Sequence, residues 1–132
     1  ALPRQITRQI HSELARCNPG LSDTERFLLR HLSEPKATTV FDAALKNFSL
    51  TQFRRQATSR GLALDRRTRV IYSDAAVGIN GEWIGPPPGA MATLKTLADQ
   101  RALSALQVKH APASTWALLH DWYSAGWIAI VD

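Results

Sequence analysis

The chain has 132 residues, 45% of them apolar, and a formal charge of +5, which suits one domain or one compact domain with a helical extension. No apolar run approaches the roughly 18 residues of a membrane span, and residues 1–16 are polar and amphipathic, unlike a signal peptide, so no membrane partner is expected. Cys17 stands alone, which excludes an internal disulfide and fits a reducing, cytoplasmic setting; such a cysteine is ordinarily a small buried hydrophobe. The chain begins at Ala1 and its one methionine is Met91, so either an initiating Met was removed or the sequence is a piece of a longer protein.

In chain order, Ile6, Ile10 and Leu14 recur every four residues and predict a helix over Leu2 to Arg16 with one apolar stripe. Cys17-Asn18-Pro19-Gly20 breaks it. Ser22 with Glu25 three residues on reads as a capping box for a second helix, Asp23 to about Leu32. Phe27, Leu28 and either His31 or Leu32 are expected on its inner face, and Pro35 stops it. The two stripes are narrow and bury little alone. A homodimer through Ile6, Ile10, Leu14, Phe27, Leu28 and Leu32 is therefore expected. The competing reading folds both helices back onto their own domain.

Residues 36–48 read as a connector with a short extended piece from Thr38 to Phe41. Ser49 then caps a helix over Leu50 to Ser59, with Gly61 just past its end, and Leu62 to Leu64 read as an edge strand. Val70–Tyr72, Val77–Ile79 and Glu82–Ile84 form a meander, closed by Asn80-Gly81, the pair best suited to a type I′ turn. Gly85 and three prolines end it. Met91, Leu94, Leu97 and Ala98 predict a further helix, followed by a looser patch with Leu103 and Leu106. Pro112 to Ser114 open a last helix with Trp116, Leu119 and Tyr123 on one face and Leu118 and Trp122 at its border; Gly126 caps it. Trp127 to Val131 read as a strand buried on both faces and paired with the hairpin. Helices around a central ribbon outline an α+β winged-helix domain.

The charge is focused. Residues 54–69 hold Arg54, Arg55, Arg60, Arg66, Arg67 and Arg69 against Asp65 alone. Such a stretch meets nucleic-acid phosphates or an acidic protein surface. The plainer reading is a solvated helix end whose arginines meet C-terminal carbonyls. No aromatic residue is interleaved to stack bases. Trp83 at the ribbon is a candidate exposed contact, although a tryptophan in a small domain is more often core. No Gly-rich phosphate loop, nucleophile elbow or paired-Cys motif is present. His11-Ser12-Glu13 with a distal His31, His110 or His120 has the residue types of an iron facial triad. Residues i and i+2 share a face only on a strand, however, and residues 6–14 have helical period. No catalytic and no metal-binding residue is assigned, and His120-Asp121 reads as helix surface.

Several segments, in this order, resemble the part that follows the catalytic domain in bacterial JmjC-type ribosomal oxygenases of the cupin superfamily. They are LPRQITRQIHSELAR, RFLLRHLSEPKATTVFD, RVIYSDAAVGINGEWI, TLKTLA and LLHDWYSAGWIAIVD. Ser33-Glu34-Pro35-Lys36, Ile79-Asn80-Gly81-Glu82 and the closing Gly126-Trp127 strand carry most of the likeness. The resemblance implies a parent enzyme whose jelly roll binds Fe(II) and 2-oxoglutarate and hydroxylates a ribosomal protein. The jelly roll and its ligands are missing from this sequence, so no catalytic residue and no cofactor carries over. What is implied is the accessory half: a helical dimerisation segment at residues 1–48 and a winged helix at 49–132, serving dimerisation and ribosomal-protein binding. The alternative is a freestanding winged-helix module that contacts RNA or DNA through Arg54 to Arg69. Against it, the helix from Met91 to Asp99 offers a base reader only Lys95 and threonines.

Overall fold

The computed structural model describes residues 4–6, 21–36, 39–44 and 46–132. Ile10, Leu14, Cys17, His11, Glu13 and most of the first expected helix lie outside the described residues; residues 4–6 are helical. The chain divides into two compact units that interleave in sequence. One takes the described residues up to Pro35 together with Arg69–Gly85, and the other takes Lys36–Thr68 and Pro86–Asp132.

The first unit is helix α1 (Leu21–Leu32) on a three-stranded antiparallel meander. In chain order the strand β1 (Leu62–Leu64), which belongs to the other unit, precedes the meander strands β2 (Val70–Tyr72), β3 (Val77–Ile79) and β4 (Glu82–Ile84). β3 is central, with Val70 opposite Ile79 and Ile79 opposite Glu82. Asn80 and Gly81 have φ of 48° and 87°, the two left-handed residues of the expected turn. The Asn80 side-chain oxygen accepts from the Arg69 backbone N–H at 2.9 Å and the Asn80 backbone N–H donates to the Arg69 carbonyl at 2.9 Å, so the turn residue also closes the start of β2.

α1 buries Thr24, Leu28 and Leu29 against this sheet, with Ala76, Ile71 and Trp83 around them. The expected inner face is therefore corrected. Leu29 is buried in full, while Phe27 and Leu32 stay 53% and 44% exposed. Neighbouring positions point about 100° apart on a helix, so three apolar residues in a row cannot all face one sheet. The pair at 28 and 29 goes in and Phe27 stays out, stacked on His31 at 5.6 Å. The Ser33 hydroxyl, fully buried, accepts from the Gly81 N–H at 3.0 Å and donates to the Arg30 carbonyl at 3.2 Å. The helix end is thereby tied to the hairpin turn.

The second unit holds helix α2 (Leu50–Arg60), β1, α3 (Met91–Gln100), β5 (Ala102–Leu103), α4 (Ala105–Lys109), a 3₁₀ turn at Ala113–Thr115, α5 (Trp116–Ser124) and β6 (Ile128–Ile130). α2 starts at a full capping box: the Ser49 hydroxyl takes the Gln52 N–H and the Gln52 side chain takes the Ser49 N–H. Gly61 ends it at φ 89°.

Two expectations about strands are corrected here. Leu62–Leu64 is the centre of a sheet ordered β5-β1-β6, not an edge. The last strand pairs with it, Leu62 opposite Ile130 and Leu64 opposite Ile128, and not with the hairpin. The hairpin completes its own sheet, which leaves β6 to find β1. β6 also alternates instead of being buried on both faces: Ile128 is buried and Ala129 exposed, because one sheet face meets the core. The looser patch resolves into β5 and α4, and α4 has its own capping box between Ser104 and Gln107.

The core of this unit is aromatic. Phe53 lies 4.9 Å from Tyr123, 5.5 Å from His120 and 5.9 Å edge-on from Trp116. Leu62, Leu94, Leu97, Leu103, Val108, Leu119 and Ile128 close around them. The family of helices and two small antiparallel sheets is the α+β winged helix that the sequence implies.

Close backbone approach makes Gly78 a sharp test of the first unit. A Cβ built there would run into the Leu29 carbonyl, which is fixed helix backbone. Gly78→Ala is expected to cost about 1–3 kcal/mol, the usual penalty for overpacking. A urea titration followed by tryptophan fluorescence should show the midpoint fall accordingly.

Candidate functional site

The arginine stretch is the first candidate, and the structure splits it. Arg54, Arg55, Arg60, Arg66 and Arg67 belong to the second unit and Arg69 to the first. Arg67 is engaged in the fold. Its Nε donates to Asp65 Oδ1 at 2.8 Å and an Nη to Oδ2 at 3.0 Å, a forked pair, while the other Nη reaches the Val40 carbonyl at 2.7 Å. Asp42 lies 3.6 Å away and the guanidinium sits 5.6 Å over the Phe41 ring. Arg69 donates to the Glu34 carbonyl at 3.2 Å. The Arg54 guanidinium lies 5.2 Å over the Trp116 ring. Arg55, Arg60 and Arg66 are exposed; Arg66 reaches Asp65 through charge alone, and Arg55 and Arg60 pair with no described residue. The stretch thus holds two kinds of arginine, of which only one is available to a partner.

A sequence reading alone passes over Arg101. It closes α3 in the left-handed region at φ 58°, a conformation that disfavours side chains with a Cβ. Its guanidinium donates to the Asp65 carbonyl at 3.0 Å and the Thr68 carbonyl at 2.9 Å, which offsets that cost. Its only sequence signal is a basic residue just past a helical pattern, where glycine is usual.

The second candidate is the outer side of α1. Phe27, His31 and Leu32 are exposed there, and Ile6 among the helical residues 4–6 is 42% exposed. Leu28, expected with them, lies in the core of its own unit. Trp83 is half-buried, packs on the Leu28–Leu29 cluster and carries the Arg26 guanidinium 4.3 Å over its ring. It is both core wall and partly open contact. Arg4 pairs with Asp74, and that contact raises its already high pKa.

Among the described residues no three His, Cys, Asp or Glu side chains come together; His31 Nδ1 and Glu34 Oε2 approach to 4.0 Å as a pair. The His120 ring is half-buried, not on the helix surface, and bonds the Phe48 carbonyl at 2.7 Å through Nε2, while Asp121 beside it is exposed as expected. The Tyr123 hydroxyl donates to the Lys46 carbonyl at 2.7 Å, and burial pushes its pKa up. No helix among the described residues is long and apolar enough to cross a membrane.

With this geometry in hand, comparison with known proteins is decisive for the family. The family model described as ROXA-like winged helix matches residues 22–129. The chain belongs to that family. No curated protein sequence matches it. Among solved structures it is similar to YcfD of Escherichia coli, at 18% identity and TM-score 0.70, over 98% of this chain and 35% of that one. A second structure, described as YcfD, a ribosomal oxygenase from Escherichia coli, matches at TM-score 0.72 and 18% identity, over 98% and 36%. The same protein in complex with cobalt and 2-oxoglutarate matches at 0.72, 18%, 98% and 36%. These likenesses establish the fold. The chain spans about 36% of the length of the structures it matches. The match to the ROXA-like winged helix begins within α1 and ends within β6, so the meander and the aromatic core both fall inside the family's own pattern.

Within this ROXA-like winged helix the Asp65–Arg67 pair has a pH signature. The Arg67 side chain, above all its hydrogen bond, holds the Asp65 carboxyl below its ordinary value of 3.8. A depressed acid contributes stability that is full above its unfolded pKa and is lost as pH falls through the folded value. Asp65→Asn should therefore lower thermal stability at pH 7. The deficit should shrink as pH falls below about 4, where the native carboxylate also loses its charge. Melting curves of both proteins between pH 7 and pH 2.5 check this.

Proposed function

We propose that this chain is the non-catalytic C-terminal region of an Fe(II)- and 2-oxoglutarate-dependent ribosomal-protein hydroxylase, and that it dimerises the enzyme and helps bind its protein substrate. The observation that carries this reading is the ROXA-like winged-helix match over residues 22–129. It is supported by the fold of YcfD, described as a ribosomal oxygenase and solved with cobalt and 2-oxoglutarate. In this reading iron and 2-oxoglutarate sit in the catalytic part of the parent enzyme, which works in the cytoplasm. The accessory region contributes shape and valency.

The dimer surface we propose is the outer side of α1 with Ile6. Phe27 and Leu32 are large, apolar and exposed. Burying such side chains fully against a two-fold copy stabilises by about 1.5–3 kcal/mol each. Ile10 and Leu14 would extend the same stripe. Leu28 supports the surface from beneath, since it is already buried within its own unit. The substrate role is supported by Trp83 on the exposed meander edge, where a half-open aromatic offers a protein contact.

Multi-angle light scattering tests the reading. The chain should run as a dimer at tens of micromolar. Phe27→Asp with Leu32→Asp should give a monomer with an unchanged circular dichroism spectrum and a melting temperature within a few degrees, because neither residue is in a core. A dimer that survives both changes, or a native chain that is monomeric, removes dimerisation from the proposal. For the substrate role, the immobilised chain should retain one large-subunit protein from a purified mixture of ribosomal proteins, and Trp83→Ala should reduce that retention several-fold.

A further inference from the structure

The net charge of the chain is carried by one unit. Residues 1–35 and 69–85 hold six Lys and Arg against six Asp and Glu, whereas residues 36–68 and 86–132 hold ten against five. Within the second unit the excess is focused further. α2, β1, β5 and α4 pack on one another and contain no carboxylate at all. They carry Arg54, Arg55, Arg60 and Lys109, and Arg66 follows β1 directly. Of the acids around them, Asp65 and Asp42 both face Arg67, and Asp132 follows Val131, whose N–H donates to the Gly61 carbonyl beside Arg60 at 3.1 Å. Arg55, Arg60, Arg66 and Lys109 are exposed; Arg66 acts on Asp65 through charge alone, and the other three pair with no described residue.

Their placement selects the kind of anion. Arg55 lies opposite the buried Phe53–Ala57 side of α2, Arg60 ends that helix, and Arg66 sits in the turn beyond β1. Lys109 closes the neighbouring α4. Cations on three elements do not converge on a single small anion. An extended chain of phosphates can meet them one after another. Beside Lys109, α3 and α4 border an open groove of about 300 Å³ whose polar lining is Thr93, Thr96, Gln107 and His110. An acidic peptide would meet these cations with carboxylates whose number and spacing vary with its sequence, whereas the phosphates of a nucleotide strand recur at every residue. A nucleotide strand brings charge together with bases and sugars that hydrogen-bond to neutral polar groups.

We infer that the α2–α4 face of the second unit is a docking surface for single-stranded nucleic acid, with Arg55, Arg60, Arg66 and Lys109 neutralising successive phosphates and the α3–α4 groove receiving a base or sugar. This does not depend on the oxygenase reading, because it rests on the charge and geometry of this unit alone. Sequence selectivity is not part of it: α3 presents threonines and Lys95, a poor set for reading base edges.

Fluorescence anisotropy with a labelled 12-nucleotide RNA, the same sequence as DNA, and each as a duplex tests it on the full chain. Neutralising three to four phosphates of a single strand predicts a log–log salt slope of about −2 to −3, or roughly a 20–50-fold loss between 50 and 200 mM salt. Replacing all four residues with Gln should flatten the slope and abolish binding at 200 mM, with the melting temperature kept. Lys at the three arginine positions should retain the native slope, since charge is what acts. Arg30→Gln, in the neutral unit, should change nothing. Equal binding of RNA and DNA identifies the shared phosphodiester backbone as the ligand, and a preference for RNA assigns the groove a contact to the 2′-hydroxyl. A slope shallower than −1, native binding by the Gln variant, tighter binding of duplex than single strand, or polyglutamate competing as well as an oligonucleotide of equal charge would each overturn the inference.

Discussion

The second unit depends on how one short turn is held. Residues 65–68 are bonded to the rest of the unit in three directions. The Asp65 N–H and the Thr68 hydroxyl both donate to the Trp127 carbonyl, at 2.9 and 2.7 Å, which anchors the turn to the entry of β6. Arg101 reaches the Asp65 and Thr68 carbonyls from the end of α3. Arg67, locked on the Asp65 carboxylate, extends to Val40 and Asp42 and so captures the connector. A charge-assisted forked pair is worth more than a neutral bond, and here it orients the residue on which the other contacts converge. The basic stretch is thus partly scaffold: some of its charge builds the turn, and the rest projects from it.

The first unit rests on steric fit instead of charge. Its helix lies close enough to β3 that only glycine fits at residue 78. Above that contact, Ser33 links the helix end to the Asn80-Gly81 turn through one hydroxyl used both as donor and acceptor. The same hairpin residues that set strand register also set where the helix stops. Trp83 then covers the side of the Leu28–Leu29 cluster, with the Arg26 guanidinium over its ring.

What was legible in the sequence was local. Asn80-Gly81 demands positive φ at two successive residues, and the structure has it. Ser49 and Gly61 bracket α2 because capping chemistry operates within a few residues. The helix-rich outline with its ribbon led to the winged helix. Ser104 and Gln107 carried an equally local signal for α4, which five residues of weak periodicity hid. The illegible part was long-range. Nothing near Leu62 announces that Ile130 will lie opposite it, and nothing near Ile128 says that its partner is β1 and not the meander. At the candidate surface, residue type identified the arginines, but only tertiary geometry separates Arg67, bound to a carboxylate, from Arg66 beside it, bound to none.

The interleaving of the two units bears on how the chain acquires its structure. The piece that contains α1 and the meander has all its strands within Val70–Ile84, so its sheet can form as soon as that stretch is made. The other sheet cannot. Its central strand, β1, ends at Leu64, and its neighbour β6 begins only at Ile128. Through that interval β1 offers one unsatisfied edge, and only Leu103 and Ala102 arrive to cover the opposite one. Pairings between distant residues form slowly because the intervening loop must be ordered first. The order of maturation is therefore built into the topology: the meander can close within its own stretch, whereas the three-stranded sheet waits for β6, with the carboxylate-free, cation-rich α2 beside the unfinished sheet until then.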